Sequence, residues 1–281
     1  MRNTEQYGAL RRKVGGTKSG FFGESVDVKG KYTDRGYVDE DEVGTSVLGQ
    51  GFLGDTTMEV TRQRGDWDCG LACATTLARF VLGERDAPSL DDVRRAIGRR
   101  KSVWTIDLAF ALKKCGVERV VMCTTCAGTN AGLCEEAFYR DDLLDDARRV
   151  NGLFSRCKRA LEDGGSDLVV SDKTVPELRV QSLTSEALVE VIKAGWFAMA
   201  LVDKYAMLSN TEEEDDDDAT GFIGHYVVIV GVHDSIAGRL FTVLDPSGEE
   251  SFKLSVPSDR LDKARKTLGT DEDLIFVSPQ R

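Results

Sequence analysis

Apolar residues change their dominant period about two-thirds of the way along this chain. Up to about residue 195 they recur at helical spacing, as in Leu71, Ala74, Leu77, Ala78 and Val81, whereas Trp196 to Val202 and His225 to Val232 are continuous runs of strand length. A helical first half that feeds a sheet built late in the chain predicts an α+β fold, with the helices packed on an antiparallel sheet. Along the chain the signals predict a short strand at Met58 to Arg62 and a helix from Asp68 to Leu82. A second helix is capped by Ser89, and a third runs from Thr105 to Gly116 with Cys115 inward. Next come a strand at Glu118 to Cys123 and a helix through most of Glu135 to Asp163, with Phe138, Leu143, Val150, Phe154 and Leu161 free to pack. A helix from Ser185 to Ala194 then precedes a strand at Trp196 to Asp203. Strands at His225 to His233 and Arg239 to Asp245, a helix near Ser258 to Leu268 and a strand at Asp273 to Val277 complete the series.

The 281 residues suffice for one sizeable core. Residues 1–57 are rich in Gly, Ser, Thr and charge without a period and predict a flexible extension, leaving 58–281 as the catalytic domain. Within it, seven consecutive carboxylates from Glu212 to Asp218 must be solvated, which predicts an acidic loop at 204–223. No apolar run reaches the length of a membrane span, and the basic N-terminus has no apolar core of a secretory signal, although an organelle transit peptide stays open. Seven cysteines scattered through the elements point to reduced thiols in the cytoplasm or nucleus. A net charge of −11 argues against nucleic acid as a partner and favours neutral or basic substrates, while the oligomeric state stays open.

Three points carry chemistry. Gln63 stands six residues before Cys69, which opens a helix. Unpaired N–H groups and the helix dipole at such a position favour a thiolate, so Cys69 is the candidate nucleophile, with Gly70 leaving room for a substrate. The Gln63 amide and the Cys69 N–H form a candidate oxyanion hole. A nucleophilic thiol needs a base, and of the two histidines His225 stands at the mouth of a buried strand after an exposed loop, whereas His233 lies roughly 26 Å further along and reads as a surface residue. Asp245, before Pro246 at the end of the next strand, is the candidate orienting acid, because an antiparallel hairpin sets the start of one strand beside the end of the other. The plainer alternatives are a buried helical cysteine, a surface amide and a turn aspartate. Cys123, Cys126 and Cys134 lack a second cysteine pair and a nearby histidine, so buried or surface thiols are the stronger reading than zinc or a redox pair. Cys73 reads as core, with a resolving thiol as the alternative, and Trp67 lines a subsite or packs beside the helix.

Gln63-x5-Cys69-Gly70, Gly224-His-Tyr-Val-Val228 and Asp245-Pro246 resemble the papain-like peptidases of the bacteriocin-processing class. Trp67-Asp-Cys-Gly-Leu-Ala-Cys73, Arg149-Val-Asn-Gly-Leu-Phe154, Ala200-Leu-Val-Asp203 and Gly269-Thr-Asp-Glu-Asp-Leu274, with the same His225 motif, resemble the guanylyl cyclase domain-containing family of plants and animals, over Met58 to the C-terminus. The first resemblance implies a papain-like fold and a cysteine hydrolase acting on a peptide or protein without a cofactor. The second implies conversion of GTP to cyclic GMP with magnesium or manganese. The motif residues favour the hydrolase as the first expectation, the cyclase as its alternative, and a silent binding protein of the same fold as the third.

Overall fold

A computed structural model describes residues 59–98, 102–129, 143–163, 172–208, 222–236, 238–248 and 252–279, all within the second of two units, Arg35–Arg281. The expected extension at 1–57, the acidic run Glu212 to Asp218, Phe138 and Cys134 lie outside the described residues.

Helix α1 (Cys69–Leu82) is the buried axis of the domain. Leu71, Ala72, Ala74, Leu77 and Ala78 have no exposed surface, and the helix stops at Gly83, whose φ of 80° suits a residue without a Cβ. Helix α2 (Leu90–Ala96) starts with the predicted Ser89 in a capping box: Asp92 N–H donates to Ser89 Oγ at 3.2 Å, and Ser89 N–H to Asp92 Oδ2 at 3.0 Å. Helix α3 (Thr105–Lys114) is tied to α4 (Leu143–Asp163) by Arg149, which pairs with Asp107 on α3 and with Asp146 on its own helix. Trp104 Nε1 and Ser102 Oγ donate to the same Asp146 carboxylate, so the approach to α3 is fixed from two sides. Thr184 caps α5 (Ser185–Lys193) through Ala187 N–H. Short α6 (Lys204–Leu208) and α7 (Ser258–Lys266) complete the helices of the described residues.

The strands are β1 (Val120–Thr124), β2 (Glu177–Val180), β3 (Phe197–Asp203), β4 (Gly224–Ser235), β5 (Gly238–Leu244), β6 (Lys253–Pro257) and β7 (Leu274–Val277). They form one sheet in the order β2-β1-β7-β3-β4-β5-β6. Every pair is antiparallel except β1–β2, so the expected antiparallel sheet is in fact mixed at one edge. Phe197, Met199 and Leu201 join the core shared with α1 and α3, while Ala198, Ala200 and Val202 between them are equally buried. Both faces of β3 are therefore covered, which is why its sequence shows no alternation.

Several boundaries depart from expectation. Residues 59–62 form no strand; Thr61 N–H donates to Thr76 Oγ1 on α1 and Gln63 N–H to the Pro246 carbonyl, so the segment spends its donors as a strap. β1 begins at Val120 because Glu118 and Arg119 stay exposed, and Cys115 is only half-buried. On α4, Val150 and Phe154 pack as expected, whereas Leu161 is exposed. Strands β2 and β6 and helix α6 were not foreseen. They are four or five residues long and mixed in polarity, so neither period develops in them.

Candidate active site

The β4–β5 hairpin carries two of the candidate residues. His225 is the second residue of β4 and faces Val202 across the β3–β4 ladder. Asp245 follows the last residue of β5, and the pairing of Val228 with Leu244 brings that end beside the start of β4; a register shift between Ile229 and Gly231 absorbs one residue on the way. The His225 Nε2 to Asp245 Oδ1 distance is 2.7 Å. The Asp245 carboxylate also accepts from Ser247 N–H at 2.8 Å and from Ser247 Oγ at 2.7 Å, so its position is fixed by three donors.

Cys69 comes to this pair from the other layer. It is the first residue of α1, and its side chain is a hydrogen-bonding neighbour of His225, whose Nε2 is held by Asp245. The structure thus brings Cys69, His225 and Asp245 into one row, with exposures of 7%, 5% and 5% that leave them little water. Burial opposes the charge on His225, but the hydrogen bonds from Asp245 and Cys69 outweigh it and raise the imidazole to about 9. Burial likewise works against the Asp245 carboxylate, and the His225 and Ser247 hydrogen bonds prevail and bring it down to about 2.

The bareness of Gly70 sets how closely α1 packs. A Cβ there would stand 2.8 Å from Leu108 Cδ1 and 2.9 Å from Tyr226 Cδ2, so its bareness lets α1 close against β4 and α3. The Tyr226 hydroxyl in turn bonds Thr105 Oγ1 at 2.8 Å. One N–H of the Gln63 amide donates to the Gly65 carbonyl at 2.8 Å, and Gln63 N–H on the Pro246 carbonyl keeps the residue beside the Asp245 turn. The carboxylate of Asp68, the residue before α1, accepts from the N–H groups of Arg64 and Gly65, so it shapes the preceding turn and leaves the α1 terminus without a side-chain cap.

Sequence reasoning missed Ser247 and Lys204. Lys204 Nζ donates to Ser247 Oγ at 2.8 Å and extends the row beyond Asp245. The Asp245-Pro-Ser247 turn was the available signal for the first; nothing local marked the second. His233 is half-buried near the far end of β4. Cys73 is core, its Sγ donating to the Tyr226 carbonyl at 3.3 Å, with burial pushing the thiol up. Burial also raises Cys123 to about 12 and Cys126 to about 11, and among the described residues no group of three or more His, Cys, Asp or Glu is arranged to hold a metal ion. Trp67 packs partly buried against the core beneath the Arg94 guanidinium, 5.1 Å from its ring centre. No described helix is long and apolar enough to cross a membrane.

Comparison with known proteins places the chain. A family model described as guanylylate cyclase matches residues 58–277. The chain is 31% identical over 221 residues to Guanylyl cyclase 1 of Arabidopsis thaliana, a span of 77% of this chain and 73% of that protein. These matches overturn the expectation of a papain-like cysteine hydrolase, and the resemblance to bacteriocin-processing peptidases has no counterpart among them. The reason lies in what the three groups specify: a thiol, an imidazole and a carboxylate in a row move a proton whatever the electrophile is, so their presence does not select a peptide bond. With the match covering the whole described domain from the strap to β7, the chain belongs to the guanylylate cyclase family.

Proposed function

We propose that this chain converts GTP to cyclic GMP and pyrophosphate, and that Cys69, His225 and Asp245 handle the proton of that reaction. What carries the reading is the family match over residues 58–277, which contains all three groups. In the cyclisation the ribose 3′-oxygen attacks the α-phosphorus, the new O–P bond forms, the bond from the α-phosphorus to the bridging oxygen of the β-phosphate breaks, and pyrophosphate leaves. The 3′-hydroxyl proton needs an acceptor. The neutral form of His225, whose share grows as pH rises toward about 9, takes it up beside Cys69, and Asp245, itself held by Ser247, keeps the imidazole in line. Phosphoryl transfer asks little covalent chemistry of a protein and depends mainly on placement and charge, so these residues are asked only to accept one proton at a nearly water-free position.

Magnesium and manganese are the cations such a reaction implies. The described residues offer no three-ligand cluster for either, so they do not fit a dedicated metal site, and no step is assigned through one. For the fold alone, a papain-like arrangement is supported by the helix-borne thiol opposite a sheet-borne histidine and acid. All six cysteines of the described residues are free, which supports a cytoplasmic or nuclear setting. The expectation of a peptide substrate rested on the hydrolase and is not carried further. The test is production of cyclic GMP by the purified chain with GTP and each cation in turn. Activity in the wild type that falls about 10²- to 10⁴-fold in His225→Ala supports the reading; activity equal in both proteins removes His225 from it, and none in either removes the cyclase.

A further inference from the structure

We propose that Lys204, held beside the Cys69–His225–Asp245 row by Ser247, binds the terminal phosphates of a nucleoside triphosphate. This rests on the cyclase reading of the same site and adds the residue that takes the leaving end of the substrate.

The backbone of Lys204 is placed by two strands. β3 ends at Asp203, which pairs with Gly224, one residue beyond the pairing of Val202 with His225. Lys204 N–H then donates to the Ile223 carbonyl at 2.9 Å, which pins the start of α6 to the residue that leads into β4. The side chain reaches the end of the next strand, where Nζ donates to Ser247 Oγ and Ser247 Oγ donates to Asp245 Oδ1. An ammonium group only donates, so the Ser247 hydroxyl must turn its own hydrogen toward Asp245. The cation therefore stands two hydrogen bonds from the carboxylate that holds His225.

Charge points to an anionic ligand. Among the described residues Lys204 has no carboxylate at ion-pair distance, and Ser247 is its side-chain hydrogen-bond partner, so no described side chain engages its other two N–H donors. The lysine is half-buried, and a half-buried ammonium with spare donors gains most from a group that brings both negative charge and acceptor oxygens. A phosphate meets both needs, and lysine recognises it as a point charge without a fixed fork geometry. In a cyclisation the β- and γ-phosphates leave together as pyrophosphate, so a cation at this position also faces the charge that builds on the leaving group.

The test compares the wild type, Lys204→Met and Lys204→Arg by calorimetric titration with GTP, inorganic pyrophosphate and GMP. GMP lacks the terminal phosphates. Lys204→Met is expected to weaken GTP and pyrophosphate by roughly 10- to 100-fold and to leave GMP within about twofold, with partial recovery in Lys204→Arg. Equal weakening of all three ligands means a general disturbance of the site and overturns the proposal, as does unchanged binding of GTP. A wild type that binds pyrophosphate and GTP through Lys204 but forms no cyclic GMP upholds the phosphate site and defeats the cyclase reading. A wild type that binds neither ligand defeats both.

Discussion

His225 on β4 and Asp245 after β5 are twenty residues apart in the chain and 2.7 Å apart in space, a contact made by the hairpin between them. Although burial opposes both charges, the hydrogen bond and charge interaction between them hold each partner in its charged form: the imidazole is raised to about 9 and the carboxylate lowered to about 2.

The linkage has a definite sign. A histidine raised above its ordinary value of about 6.5 adds stability that is complete below that value and is lost as pH rises through about 9. An aspartate lowered from about 3.9 adds stability that is complete above that value and is lost as pH falls through about 2. Denaturant unfolding should therefore show the largest gap between wild type and Asp245→Asn between about pH 4 and 6.5, narrowing on both sides. In the same variant the His225 midpoint, followed by NMR, should drop well below about 9, since burial then opposes the charge with less to offset it. A midpoint unmoved by the substitution would contradict the assignment of Asp245 as its partner.

Thiol reactivity is expected to separate Cys69 from the other cysteines of the described residues. Burial raises Cys123 to about 12 and Cys126 and Cys157 to about 11, and it moves Cys73 and Cys115 in the same direction. Limiting iodoacetamide near pH 7.5 is expected to label Cys69 first, and His225→Ala to slow that labelling, as read by peptide mass spectrometry. Uniform labelling of several cysteines is the contrary outcome.

Gly70→Ala tests how tightly α1 closes on the sheet. The added methyl meets Leu108 and Tyr226 below 3 Å, and neither contact is with the loose end of a long chain. A loss of about 1–3 kcal/mol in unfolding free energy is expected, together with slower Cys69 labelling as Tyr226 is pushed and His225 moves with it. An Ala variant of wild-type stability would show that the helix has room to shift.

Arg265 on α7 has no exposed surface. It donates to the Leu183 carbonyl at 2.5 Å and pairs with Asp262, while Glu272 lies 3.7 Å away. Arg265→Ala leaves those acceptors facing a cavity and should lower stability by about 3–5 kcal/mol, measurable as a shifted denaturation midpoint. Because α7 packs mainly against α6, β3, β5 and β6, while α1 with Cys69 packs mainly against β4, α2 and α3, the surviving folded fraction should keep the thiol reactivity of the wild type.

The parts of the fold legible in the sequence are those whose chemistry is local. The Ser89 capping box, the continuous apolar runs of β3 and β4 and the thiol at the head of α1 each announce themselves within a few residues. The neighbours of Gln63 and Gly70, the Gly65 carbonyl and the Tyr226 ring, were not legible because they are chosen by the way the strap and β4 meet α1. Lys204 escaped notice for the same reason: its partner is 43 residues away on another strand. The hydrolase expectation failed at a further level, since a row of proton-moving groups describes how a site works and leaves its electrophile undefined.

The central claim is tested most directly by following GTP with the wild-type chain by phosphorus NMR, with magnesium and then manganese supplied. The account predicts that the α-, β- and γ-phosphate signals decline together while cyclic GMP and pyrophosphate grow in equal amounts, and that Cys69→Ala and His225→Ala slow both products alike. Conversion of GTP to GDP and inorganic phosphate, or a spectrum unchanged by the protein, would contradict it.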